Sequence, residues 1–184
     1  AVLCVPCVGG QFAAVPAENS GSECFPCPTG RYLSGPGAQT LAACKECAIG
    51  QFSGADGAVH CHSCAVGKFT DQVGSSQCKH CAPGQSNDQE GWVHCAPCTT
   101  GHYAANPGNA HCVACPQGRT ATKLGSLSCA ACPEGRFNND GTRCSGACPA
   151  GRFNAKAQAC EDCPVGTFSH GGTSACTVCG QGRT

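Results

Sequence analysis

The sequence predicts a small disulfide-rich fold: an elongated tandem array of about eleven short β-hairpin modules, with little regular secondary structure and no helix. Three observations lead there. The chain of 184 residues holds 22 cysteines, no methionine, one tryptophan and only 5% aromatics; such a chain cross-links itself rather than burying one large core. Its cysteines fall into eleven pairs, ten spaced CxxC and one, Cys144/Cys148, spaced CxxxC. Three residues after the second cysteine of every pair stands a glycine, from Gly10 and Gly30 through to Gly166 and Gly182. A period found this way takes precedence over any search for helices.

Taken in order, the modules begin near Cys7, Cys27, Cys47, Cys64, Cys81, Cys98, Cys115, Cys132, Cys148, Cys163 and Cys179. Intervals between first cysteines run 20, 20, then 17 five times, then 15, 16 and 16. Every length change falls in the polar return, as a hairpin tip tolerates and a packed strand does not. The returns carry turn chemistry, as in Asp56-Gly57, Pro107-Gly108-Asn109 and Asn139-Asp140-Gly141. No linker, charge block or boundary interrupts them, so residues 1–184 read as one continuous array. The chain lacks an initiating Met, and its first and last cysteine pairs each leave one member unmatched, so it reads as a piece of a longer protein.

Two further columns follow each glycine. Next comes a long polar side chain, Gln11, Arg31, Gln51, Lys68, Gln85, His102, Arg119, Arg136, Arg152 and Arg183, with Thr167 the exception. After it comes an aromatic: Phe12, Tyr32, Phe52, Phe69, Tyr103, Phe137, Phe153 and Phe168. Adjacent columns of opposite character fit a strand, whose successive side chains face opposite ways, with the aromatic inward as a packing column and the cation outward. Ser86 and Thr120 break the aromatic column, and Trp92 or Leu124 and Leu127 in the same modules read as local substitutes.

The cysteines admit several pairings. In one, the second cysteine of each pair joins the first of the next: Cys7 to Cys24, Cys27 to Cys44, Cys47 to Cys61, Cys64 to Cys78, Cys81 to Cys95, Cys98 to Cys112, Cys115 to Cys129, Cys132 to Cys144, Cys148 to Cys160 and Cys163 to Cys176. Each bond then staples one hairpin, the two residues inside CxxC become a hinge, and Cys4 and Cys179 find partners outside the fragment. Closing a loop of about 15 residues stabilises by roughly 3 kcal/mol in the chain-entropy model. A second pairing joins like cysteines, as Cys44 to Cys61 and Cys47 to Cys64. Bonds within each CxxC are a third, though strained and labile. Zinc is the remaining alternative, since paired CxxC motifs are a common tetrahedral pattern and His60, His62, His80, His94 and His111 lie beside or inside cysteine pairs.

The motif Cys-Pro-x-Gly-Arg/Thr-Phe/Tyr, as in Cys27-Pro28-Thr29-Gly30-Arg31-Tyr32 and Cys163-Pro164-Val165-Gly166-Thr167-Phe168, resembles the ephrin-receptor-like cysteine-rich repeat. The hairpin is similar to the first small module of tumour-necrosis-factor-receptor cysteine-rich domains. The resemblance spans essentially the whole chain and implies the consecutive pairing. This sequence has no second module type between its repeats, so receptor ligand contacts do not carry over. Long uninterrupted arrays resemble those of protist surface and extracellular proteins, which implies a structural coat or fibre.

Formal net charge is zero and only 12% of residues are charged, which gives no reason to expect nucleic acid as a partner. No apolar run reaches the roughly 18 residues of a membrane helix, so no membrane insertion is expected. The glycines belong to the repeat and no nucleophile, carboxylate pair or phosphate loop is visible, so no enzyme and no cofactor is expected. The expected function is an extracellular or cell-surface, secreted structural protein: a rod-like, solenoid building block of a coat, appendage or filament that associates with itself. Alternatives are a receptor or adhesion ectodomain binding a protein or glycan, and a zinc-binding array. Arg31, Lys68, Arg119, Arg136, Arg152 and Arg183 form a candidate contact row, with Asp56, Asp71, Asp88 and Asp140 in the returns as complements; solvated charges are the plainer reading. No Asn-x-Ser/Thr acceptor is present, and Thr70, Ser75 and Ser76 are candidate O-glycan sites.

Overall fold

The structure, a computed structural model, describes residues 6–14, 23–138, 140–144, 146–155 and 159–180. It consists of ten antiparallel two-stranded hairpins. In chain order these are β1 Gln11–Ala14 with β2 Glu23–Pro26, β3 Arg31–Tyr32 with β4 Lys45–Glu46, β5 Gln51–Phe52 with β6 His62–Ser63, and β7 Lys68–Phe69 with β8 Lys79–His80. There follow β9 Gln85–Ser86 with β10 Ala96–Pro97, β11 His102–Tyr103 with β12 Val113–Ala114, and β13 Arg119–Thr120 with β14 Ala130–Ala131. The last are β15 Arg136–Phe137 with β16 Gly146–Ala147, β17 Arg152–Phe153 with β18 Glu161–Asp162, and β19 Thr167–Phe168 with β20 Thr177–Val178. Among the described residues the helical part is one 3₁₀ turn, Leu41–Ala43. The chain divides into two compact units, Ala1–Cys81 with Asn87–Cys95, and Ala82–Ser86 with Ala96–Thr184. An eleventh module, starting at Cys179, would extend into residues 181–184, outside the described residues, as do Cys4, Asn139, Gly182 and Arg183.

Ten disulfides staple the hairpins: Cys7–Cys24, Cys27–Cys44, Cys47–Cys61, Cys64–Cys78, Cys81–Cys95, Cys98–Cys112, Cys115–Cys129, Cys132–Cys144, Cys148–Cys160 and Cys163–Cys176. Cys179 has no disulfide partner among the described residues. Because the sulfurs are joined in this order, the like-to-like and within-pair bonds are absent from these twenty cysteines, and they offer no thiolates to zinc.

The repeat glycine opens each hairpin. In module two the N–H of Arg31 donates to the Pro28 carbonyl at 3.1 Å across a turn whose third residue, Gly30, sits at φ +78°. That angle at that position defines a type II turn, which an L side chain enters only with strain. The pairing that follows differs from expectation in one respect. The two residues inside CxxC are no hinge: they form the second strand of each hairpin, as Lys45–Glu46, His62–Ser63 and Lys79–His80 do. The disulfide holds that strand in reach of the first, so the ladder continues up to the cysteine. The N–H of Cys47, for example, donates to the Gly30 carbonyl at 2.9 Å.

Successive modules are joined through main chain. In seven modules the N–H of the repeat glycine donates to a carbonyl one module on, as with Gly30 to Ser53 and Gly50 to Thr70 in the first unit and Gly84 to Ala104 and Gly101 to Ala121 in the second, these four at 2.8 to 2.9 Å. A second glycine in the return reaches back two modules. The Gly74 N–H donates to the Cys47 carbonyl one module earlier at 2.8 Å, and its own carbonyl lies so close over Gly30, two modules earlier, that a Cβ there would overlap it. Gly57 over Gly10, Gly91 over Gly50, Gly125 over Gly84 and Gly172 over Gly135 repeat this. The glycine column thus answers to two constraints, a backbone angle and a close approach.

The core differs from the expected one. The aromatic column is only half-buried, and Phe168 is 37% exposed. The sealed column lies one residue later, at Ser53, Thr70, Asn87, Ala104, Ala121, Asn138, Asn154 and Ser169, together with most of the second cysteines of the pairs. A hairpin of two-residue strands has no second sheet to cover an aromatic face, whereas the residue after it is clamped between main chains. Its N–H bonds to the next module and its carbonyl to the one before: in Ser53 the N–H donates to the Ser75 carbonyl and the carbonyl accepts from the Gly30 N–H. Only a short side chain fits there. Nor do Leu124 and Leu127 replace a missing aromatic, for they are 67% and 54% exposed. Instead the Thr120 hydroxyl donates to the Thr142 carbonyl at 2.8 Å, while Trp92 is half-buried.

Candidate functional site

With the framework closed on itself, side chains that remain available are those of the strand inside CxxC, exposed in every hairpin from Lys45–Glu46 to Ala130–Ala131. Their chemistry varies while the frame does not. In the first unit they are Lys45-Glu46, His62-Ser63 and Lys79-His80; in the second, Ala96-Pro97, Val113-Ala114, Ala130-Ala131, Glu161-Asp162 and Thr177-Val178. Of these, His62-Ser63 and Lys79-His80 border a groove of about 670 Å³ in the first unit, between hairpins β5–β6 and β7–β8.

Register builds this groove. Phe52 lies directly across from His62 on one hairpin, and Lys68 across from His80 and Phe69 across from Lys79 on the next. Phe52, His62, Ser63, Lys68, Lys79 and His80 all line it. The Phe52 and His62 ring centroids are 6.1 Å apart, and His60 meets His62 edge-on at 4.7 Å. At the rim the Lys79 ammonium pairs with Asp71 at 3.1 Å. That hydrogen bond, first, holds the Asp71 carboxyl below the usual carboxylate range, helped by the local backbone and by the lysine's charge. Lys68 makes no ion pair among the described residues.

The cation row is used at home. Arg31 donates to the Cys44 carbonyl at 3.1 Å and pairs with Glu46 at 2.6 Å. Arg119 donates to Cys129 at 3.1 Å and Arg136 to Cys144 at 3.5 Å, each bracing the cysteine that closes its own hairpin. Arg152 grips Asp162 through Nε at 2.6 Å and Nη2 at 3.3 Å. Bonding to Asp162, then its charge, raises the Arg152 pKa, and the same pair lowers that of Asp162. Lys68 is the described member of the row that faces the groove, and Arg183 lies outside the described residues. Of the return carboxylates, Asp56 accepts from the Thr29 N–H at 2.9 Å, Asp140 from the Thr142 N–H at 2.9 Å, and Asp88 is exposed. The Thr142 N–H is also the main reason the Asp140 carboxyl titrates low.

Two other expected sites move. Thr70 is 1% exposed and its hydroxyl is 2.6 Å from that of Ser75, which in turn donates to the Gln72 carbonyl. Burial removes Thr70 as a glycan acceptor, while Ser76 is exposed. The histidines build no metal cluster: His94 stands edge-on to Trp92 at 5.1 Å, and no group of three or more metal-ligating side chains gathers among the described residues. The sealed column was the functional element least visible beforehand. Its Asn87 donates to the Lys68 carbonyl at 2.8 Å and Asn138 to that of Arg119 at 2.9 Å, each one module back. The available signal was size, since no copy from Ser53 to Ser169 is longer than Asn.

No helix among the described residues is long and apolar enough to cross a membrane. No curated protein matches the chain. The family profile described as tyrosine-protein kinase ephrin type A/B receptor-like matches residues 37–81, 50–92 and 86–132, together just over half of the sequence. Serially cross-linked repeats of this kind are typical of extracellular regions. With that match laid over stapled hairpins that carry the Pro-x-Gly turn, the chain belongs to the ephrin-receptor-like family of cysteine-rich repeats.

Proposed function

We propose that this chain is a non-enzymatic structural protein of the cell exterior, a serially stapled building block of a coat, appendage or filament. The supporting observation is the spread of main-chain bonding over three consecutive modules, seen at Gly74 with Cys47 and Gly30. A return that bonds to the module before it and presses on the one before that resists bending in a way that separate beads do not. The same bonding argues against catalysis. The repeat-glycine N–H groups, which would otherwise be free to cradle an anion, are spent on the next module at Gly30, Gly50 and Gly84. Secretion would keep the staples oxidised. Assembly is tested by sedimentation and negative-stain imaging of the oxidised protein at rising concentration. Ordered polymers or arrays support the reading, and a dispersed monomer at every concentration overturns it.

A second reading, an adhesion or receptor ectodomain, has its own support. The pattern does vary from module to module, in the dipeptide inside CxxC, and that is the strand left exposed.

A further inference from the structure

We propose that the groove between hairpins β5–β6 and β7–β8 is a binding site for an acidic carbohydrate, a glycan carrying carboxylate or sulfate groups. The proposal stands apart from assembly, since the groove lies within one unit of one chain.

Four features point to that class. The first is size. About 670 Å³ falls in the range of small-molecule sites and suits a few sugar rings. The second is sign: the ammonium groups of Lys68 and Lys79 line the groove, with the rings of His62 and His80 as further hydrogen-bonding groups, and no carboxylate does. Asp71 takes part of the charge of Lys79 from the rim, which leaves Lys68 as the strongest anchor for an anion. The third is shape and polarity together. Phe52, with the His62 ring tilted at 47° beside it, offers an aromatic surface, and Ser63 and Gln77 offer hydrogen bonds. A sugar ring presents an apolar C–H face, hydroxyls and, when acidic, an anion, so it uses all three; a bare inorganic anion uses one.

The fourth feature separates a glycan from an acidic peptide. A peptide held at a strand edge needs free main-chain groups. Beside the first strands of these two hairpins they are taken: Gly50 N–H donates to Thr70, Ser53 N–H to Ser75, Gly67 N–H to Asn87 and Thr70 N–H to Trp92. On that side of the groove recognition falls to side chains. The corresponding strands of the second unit carry Ala96-Pro97, Val113-Ala114 and Ala130-Ala131, which cannot repeat it.

The test uses the full oxidised chain, isotope-labelled and titrated with four probes: a hyaluronan tetrasaccharide, a heparin tetrasaccharide, a neutral chitin tetrasaccharide and a tetraglutamate peptide. At least one acidic sugar is expected to bind saturably, with amide shifts gathered at Phe52, Ser63, Lys68, Gln77 and His80. The first two probes separate carboxylate from sulfate recognition. Lys68→Gln should weaken binding about tenfold, the scale of one charge-assisted hydrogen bond. Phe52→Leu, which keeps an apolar side chain but removes the ring, should weaken it measurably, and Lys45→Gln, outside the groove, should leave it unchanged. Unchanged hydrogen-exchange protection in each variant shows that the frame is intact. The proposal fails if neither acidic sugar binds, if the neutral sugar or the peptide binds as well, or if Lys45→Gln matches Lys68→Gln.

Discussion

Modules three and four, Cys47 to Cys78, and modules nine and ten, Cys148 to Cys176, carry the same columns yet are packed very differently. In the earlier pair Cys47 and Cys64 are fully buried, and the site of a Cβ on Gly50 is filled by the Gly91 carbonyl. In the later pair no described residue lies within 4 Å of a Cβ built on Gly151 or Gly166, Phe168 is 37% exposed, and Val165 projects fully into solvent. The backbone angles barely change: φ is +78° at Gly50, +81° at Gly151 and +83° at Gly166. So the hairpin is a local product of staple and turn, while its burial is supplied by the modules that follow it.

Removing a staple gives the largest effect and divides the two contributions. Loops of 14 and 13 residues carry nearly equal chain entropy, about 3 kcal/mol each. Cys64→Ser with Cys78→Ser should cost about 1–2 kcal/mol more than Cys163→Ser with Cys176→Ser, because a hydroxyl replaces a fully buried sulfur. Hydrogen exchange read hairpin by hairpin measures both, and equal losses would break the comparison.

Next in size is Gly50→Ala against Gly151→Ala. Each places a side chain at positive φ, costing about 1–2 kcal/mol. At position 50 the methyl must also displace the Gly91 carbonyl, so a total above about 3 kcal/mol is expected, and protection should fall in modules three and five together. The Gly151 variant should soften its own turn alone.

Smaller again is Asn87→Ala, which removes the bond to the Lys68 carbonyl and should cost about 1 kcal/mol. The same column holds Ala104 and Ala121, both buried without that bond, so the fold should persist. Loss of hairpin β7–β8 in this variant would show that the side-chain link matters more than the main-chain one.

The smallest effect is electrostatic. Asp162 is held below its ordinary value of 3.8 by the bond from Arg152. A depressed carboxylate contributes stability above the unfolded pKa and loses it as pH falls through the lower folded value, so the window lies below about pH 4. Both groups are exposed, and the change in melting should be slight. An NMR titration should show Asp162 returning to the ordinary range in Arg152→Gln.

What could be read in advance follows the range of the interaction. The periods of Cys and Gly reveal hairpins, because a loop closed over 12 to 17 residues and a turn needing positive φ are both local. The groove was legible only in part. Lys68 stood out as a cation and His62 and His80 as odd residues inside CxxC, but nothing in their spacing says that Phe52 and Lys68, on consecutive hairpins, line one cavity. The aromatic column misled for a related reason: alternation tells which side chains share a face, not whether anything covers that face.

The sequence by itself determined where each of the ten described hairpins begins and which glycines the turns demand, since covalent loops and backbone angles act within a module. Only the tertiary structure decided that the short residue after the aromatic is the sealed one, that a return bonds one module back and presses two back, and that the CxxC interior is an exposed strand. Those outcomes rest on main-chain contacts between modules, and a peptide group looks the same in every residue, so it leaves no pattern of side chains to read.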